Sequence, residues 1–169
     1  MQAEQARFLL NYLMRQVEDE FGTTKKVLAA IPEDKKDYRP HAVAKTALEL
    51  AWHAASSDLW LLEGIARGGF PMEEGKMPAE IGGVADLVSF YVTKMAPAIA
   101  QVKALSDEQL LKPIPFFGVM TQPAVTYLSI LLVHVVHHRG QLSTYLRAMG
   151  AKVPSIYGGS ADEPFQPPA

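Results

Sequence analysis

At 169 residues, with 49% apolar and 20% charged side chains, the chain has enough apolar material for one full core and fits a single domain spanning 1–169. A net charge of -2 and a pI near 6.2 withhold the basic footprint that general nucleic-acid binding needs. There is no cysteine, which excludes a disulfide framework, a zinc knuckle and a cysteine nucleophile and leaves any metal to nitrogen and oxygen ligands.

The start, Met1-Gln2-Ala3-Glu4-Gln5, has no apolar signal core, and no uncharged run reaches the length of a membrane span. The expectation is a cytoplasmic protein without a membrane partner. A first helix is predicted from about Glu4 to Ala30, on the spacing of Phe8, Tyr12, Val17 and Phe21, with Gly22 as a weak point and Pro32 as its end. A charged connection, Glu33 to Pro40, follows. A second helix is predicted from His41 or Ala42 to Arg67, stopped by Gly68-Gly69. Phe70 to Gly83, with two prolines and three glycines, reads as a long loop.

The third helix is predicted from Val84 to Ala104, with Pro97 inside it bending the helix or removing one hydrogen bond. Ser106 and Gln109 have capping-box spacing and predict one further turn. Pro113 to Met120 should be extended. The last helix is expected to be capped by Thr121, with Pro123 in its first turn, and to end at Arg147-Ala148-Met149-Gly150. From Ser155 onward the chain reads as loop. Four apolar-striped helices without a strong strand signal predict an all-α four-helix bundle.

Three of the five histidines, His134, His137 and His138, lie on the last helix. At about 100° per residue from Leu131, His138 falls about 20° from the centre of the apolar stripe, His134 about 60° and His137 about 120°. His134 and His138, at i and i+4, therefore share a core-directed face, while His137 points outward. A core-facing imidazole is either hydrogen-bonded to a carbonyl or a metal ligand, and for this pair both readings stand. A third ligand has to come from another helix, and His53 is the candidate, in the apolar stretch Leu48 to Ala55. Glu49, one turn earlier, reads as an exposed helix carboxylate, as a partner of a ligand, or as a fourth ligand. His41 reads as solvated. Gly64, on the face of His53, should leave space near the site, and Trp60 and Phe116-Phe117 are core packing or pocket wall. Arg139 is expected to pair with an acid at the bundle surface, and Gln141 to bond between helices.

The segment His134-Val135-Val136-His137-His138-Arg139-Gly140-Gln141-Leu142, with Tyr145-Leu146-Arg147, Gly150 and Val153-Pro154, resembles the last-helix signature of the DinB/YfiT-like superfamily. Leu48 to His53 and Tyr38-Arg39-Pro40 resemble that superfamily's second-helix histidine motif and the pattern before it. The resemblance covers nearly the whole chain. It implies a four-helix bundle, a homodimer, and a metal site of His53, His134 and His138, the set the facing argument favours. It also brings to mind relatives that transfer or isomerise groups with low-molecular-weight thiols.

Three histidines leave coordination positions open, the catalytic rather than the structural pattern. Zinc or nickel suits imidazole, and iron is compatible with open positions. The functional expectation is a divalent-metal protein that activates a small thiol toward an electrophile, as an S-transferase. The alternatives are a non-catalytic stress-related metal binder and a metal-dependent hydrolase.

Overall fold

The computed structural model describes residues 1–72 and 75–167. α1, Ala3–Ala29, buries Ala6, Leu10, Leu13, Met14, Val17, Val27 and Leu28 at helical spacing and runs unbroken through Gly22. α2, Ala47–Arg67, begins later than its sequence suggests. The cause is local: Thr46 Oγ1 accepts the Glu49 N–H at 3.1 Å while Glu49 Oε2 accepts the Thr46 N–H at 2.6 Å. This reciprocal cap satisfies two otherwise orphaned donors and fixes the start at Ala47. At the other end Gly68 adopts φ 77°, and its N–H reaches Gly64 O at 2.9 Å.

α3, Val84–Lys103, carries Pro97 without losing its helical course. The short α4, Asp107–Leu111, starts at the expected Ser106–Gln109 capping box. Arg7 ties it to α1, its Nε donating to Asp107 Oδ1 at 2.7 Å.

The stretch expected to be merely extended folds into a hairpin, β1 Pro113–Phe116 against β2 Met120–Pro123. Phe117 and Gly118, at φ 50° and 73°, make its turn, closed by Val119 N–H to Phe116 O at 2.9 Å. Two successive positive φ values are the turn geometry that suits a twisted hairpin. Thr121 and Pro123 thus belong to a strand and not to a helix cap. α5, Tyr127–Ala148, begins only after a 3-10 turn at Ala124–Thr126. Tyr127 Oη donates to Ile114 O at 2.6 Å and fastens the hairpin to the helix.

The four long helices form the expected bundle. α1 and α2 each pack against both α3 and α5, so the order around the bundle is α1, α3, α2, α5. The pairs α1–α2 and α3–α5 stand at opposite corners. The core is aliphatic and aromatic. Its buried polar residues, among those described, are Thr24, Thr46, Asp58 and Arg139. No helix of the described residues is long and apolar enough to cross a membrane.

Candidate metal centre

α2 and α5 are neighbours in the bundle, and their contact brings together the histidines that the sequence places on facing stripes. One side-chain nitrogen each of His53, His134 and His138 lies within 4.8 Å of the other two. Ring centroids are 5.5 Å apart for His53–His134, 4.5 Å for His53–His138 and 4.3 Å for His134–His138. That spacing is compatible with three ligands sharing one ion, whose bonds to imidazole nitrogen are about 2.1 Å. His137 is exposed, as its helical angle requires, and so is His41.

A ligand imidazole has to be neutral. Burial pushes His138 down to about 4, against the opposing pull of its hydrogen bond to Gln141. His53 is lowered too, by burial first and then by the charges of His134 and Lys45. Both rings therefore offer a lone pair at neutral pH.

One nitrogen each of His138 and His134 lies near a side-chain oxygen, bonded in the first case and only close in the second. His138 Nδ1 lies 2.8 Å from Gln141 Oε1, so the amide oxygen accepts and Nε2 is left free. Gln141 was expected to bond between helices; one turn along the same helix, it instead meets the ring of His138. His134 Nδ1 lies 3.8 Å from Oδ1 of Asp58, a carboxylate only 1% exposed on α2. Tyr91 Oη, from α3, donates to the other oxygen at 3.0 Å. Burial raises the Asp58 carboxyl above its usual range, against the pull of the nearby His134 and the bond from Tyr91. The same burial, with the Asp58 charge beside it, drives the Tyr91 phenol well up.

Asp58 was not anticipated from sequence, although a signal was there. It occupies the centre of the stripe Ala51, Ala54, Ala55, Asp58, Leu61, Leu62 and Ile65. A carboxylate on such a stripe has to be partnered.

Arg139 corrects its expectation in part. It does pair with an acid, but in the interior: 2% exposed, it forms an ion pair with Glu20 of α1, donates to Thr24 Oγ1 at 3.2 Å and bonds the Tyr157 hydroxyl. Tyr157 in turn donates to Glu20 Oε1 at 2.9 Å.

A cleft of about 620 Å³ opens beside His53, walled by Trp60, Phe117, Pro71 and Met72, with Ser56 and Ser57 as its hydroxyl groups. Trp60 and Phe117 lie nearly parallel, 5.9 Å between centroids and 11° between planes. Trp60 and Phe117 are thus pocket wall. Gly64 does not open this space. The ring of Phe70 fills the position its side chain would take, which frees no volume for a substrate. Glu49 is committed to its helix cap, half exposed, with Arg39 4.0 Å away, and is neither a ligand nor a partner of one.

Fold and site together describe a helix bundle that gathers three imidazoles on two facing helices. The DinB family profile matches residues 2–167, and the chain belongs to that family. It is 26% identical over 156 residues to the uncharacterized protein YrdA of Bacillus subtilis, covering 91% of each chain. To the uncharacterized YjoA of the same organism it is 25% identical over 131 residues, 76% of this chain and 83% of that one. Its fold matches the crystal structure of YjoA with a TM-score of 0.71, covering 86% of this chain and 97% of that one at 23% identity. A DinB-like protein from Bacillus cereus matches with a TM-score of 0.72, covering 86% and 95% at 23% identity.

Proposed function

We propose that His53, His134 and His138 hold one divalent metal ion and that the protein uses it to join a low-molecular-weight thiol to an electrophile. The observation that carries the reading is the convergence of three imidazoles beside a cleft lined by one of them. The donor set fits a metal. It is all imidazole, which suits zinc or nickel and admits iron, and two of its rings have Nδ1 directed at an oxygen acceptor. When bound, the ion supplies positive charge that favours a thiol, or a water, in its deprotonated form.

The chain's own residues do the rest. Gln141 and Asp58 orient two of the rings. Trp60 and Phe117 present an apolar wall that excludes water and accepts a flat electrophile, and Ser56 and Ser57 offer it hydrogen bonds. In the overall reaction the thiol gives its proton to solvent, a C–S bond forms, and the electrophile's leaving group departs with its bonding pair. The chain has no cysteine, so the sulfur must come from a cosubstrate. A cytoplasmic setting, where such thiols are kept reduced, suits this chemistry.

Metal-loaded protein should accelerate conjugation of a thiol to a test electrophile such as 1-chloro-2,4-dinitrobenzene, and His53→Ala should abolish the acceleration. If bacillithiol, mycothiol, glutathione and coenzyme A all react at the uncatalysed rate, the transferase reading falls. One observation favours a second reading, metal binding without turnover: Glu49, the carboxylate best placed in sequence to act as a general base, is locked into the cap of α2. Hydrolysis by a metal-activated water, which needs such a base more than thiol transfer does, stands third.

A homodimer belongs to the same proposal. Phe8 and Tyr12 lie parallel on the outer face of α1, 70% and 59% exposed, and offer an apolar surface to a second copy. Light scattering at micromolar concentration should give the mass of two chains, and a monomer mass would remove this claim.

A further inference from the structure

We infer that Asp58 is a positioning residue for the metal site: its carboxylate accepts the Nδ1–H of His134, fixes the tautomer that leaves Nε2 free for the ion, and is itself held in place by Tyr91. The effect on metal affinity rests on the three-histidine reading above, whereas the effect on the tautomer stands without it. Three observations carry the inference. Asp58 Oδ1 and His134 Nδ1 are both buried, neither has a hydrogen-bond partner, and they lie 3.8 Å apart, so a small rotation of either side chain joins two otherwise orphaned atoms. The other oxygen, Oδ2, takes the Tyr91 hydroxyl at 3.0 Å, which holds the carboxylate plane. The nearest guanidinium, Arg139, spends its bonds on Glu20, Thr24 and Tyr157, so its charge reaches Asp58 only at a distance. A carboxylate in an apolar helix interface with one phenol as its donor is costly to keep. A histidine whose far nitrogen binds a cation is the partner that offsets this cost, because its remaining N–H becomes a strong donor.

The two neighbours of the site use different means to one end. Gln141 orients His138 through a neutral amide, and Asp58 orients His134 through a charge. Only the second adds electron density to the ligand ring, so the two should not be interchangeable.

Long-range 1H–15N correlation of the metal-free protein reads the tautomer, and competition for Zn2+ against a chromophoric chelator reads the affinity. In the wild type His134 should be the Nδ1–H tautomer. Asp58→Ala should release it to the Nε2–H form or a mixture, and weaken Zn2+ binding by ~10–100-fold. Asp58→Asn, whose amide oxygen can still accept the same N–H, should keep the tautomer and recover part of the affinity. Tyr91→Phe should cost less than Asp58→Ala. A merely structural Asp58 would change the melting temperature of the metal-free protein and leave tautomer and affinity alone. An Nε2–H tautomer in the wild type, or unchanged tautomer and affinity in Asp58→Ala, overturns the inference. Should Asp58→Ala fail to fold, the wild-type tautomer together with Asp58→Asn and Tyr91→Phe decides. Should the wild type take up no Zn2+, the metal reading fails, and the tautomer comparison decides the role of Asp58 by itself.

Discussion

The three clustered histidines on α5 differ by one or a few positions and by everything that matters chemically. His134 and His138 meet His53, while His137 looks into solvent. His134→Ala and His138→Ala should therefore abolish stoichiometric metal binding and His137→Ala should leave it at one ion per chain, as elemental analysis of the three variants would show. Loss of metal in His137→Ala with retention in His138→Ala would reverse the facing argument. The histidine facing was legible because helical angle depends only on spacing. Asp58 and Arg139 were less legible because charged side chains are assigned to the surface by default, and only a partner from another helix, Tyr91 or Glu20, makes their burial tolerable. A carboxylate of another kind lies at the edge of the fold. Asp162 accepts from Arg147 at 2.7 Å and from the Val153 N–H at 2.9 Å, and these bonds, Arg147 first, hold its carboxyl below the usual range. A depressed carboxyl stabilises the folded form above its unfolded pKa of about 3.9 and loses that contribution as pH falls through its lower folded value. Hydrogen exchange should find the Val153 amide equally protected from neutral pH down to about 4 and less protected below it. Protection already lost at pH 6 would separate the amide from Asp162.

Among the elements, α1 and α3 could be read at both ends to within a residue, whereas the starts of α2 and α5 could not. α2 begins at Ala47 rather than near His41 because the Thr46–Glu49 cap closes there, and Glu49, weighed for the site, bonds in that cap. The hairpin was only half visible. Pro113, Pro115 and Pro123 depress any strand prediction, yet two short edge strands tolerate them, and the turn rests on a non-glycine residue, Phe117, at φ 50°. That strained residue is also a wall of the cleft. Gly64 shows what one element asks of another: α2 must be bare there to admit Phe70, which packs onward against Trp60 and Tyr127. Gly64→Ala should therefore destabilise the protein by about 1–3 kcal/mol in denaturant unfolding, despite the better helix propensity of alanine. A stabilised variant would mean that Phe70 moves aside freely.

Apart from Thr46 in its helix cap, the buried polar residues lie along a course that follows the packing order of the helices. Hydrogen bonds join Asp58 on α2 to Tyr91 on α3, and Thr24 on α1 to Arg139 on α5, with His134 on α5 3.8 Å from Asp58. An ion held at His53, His134 and His138 would brace the α2–α5 contact at one point of this course. Metal should therefore raise the melting temperature. A ligand bound only by the folded state contributes about 2.7 kcal/mol at a hundredfold excess over Kd. Calorimetry on chelator-stripped and reloaded protein checks this, and identical melting with binding confirmed would refute it.

The chain contains two tryptophans, and both stand on α2 around His53. Trp52 is its neighbour in sequence and Trp60 shares the wall of its cleft, their indole N–H groups donating to Gly75 O at 2.6 Å and to Pro71 O at 3.2 Å. All indole emission of the protein therefore originates beside the histidine cluster. An open-shell ion such as Ni2+ or Co2+ bound there should quench that light, while closed-shell Zn2+ should only shift it, so the unlabelled molecule carries its own optical gauge of which kind of metal it holds.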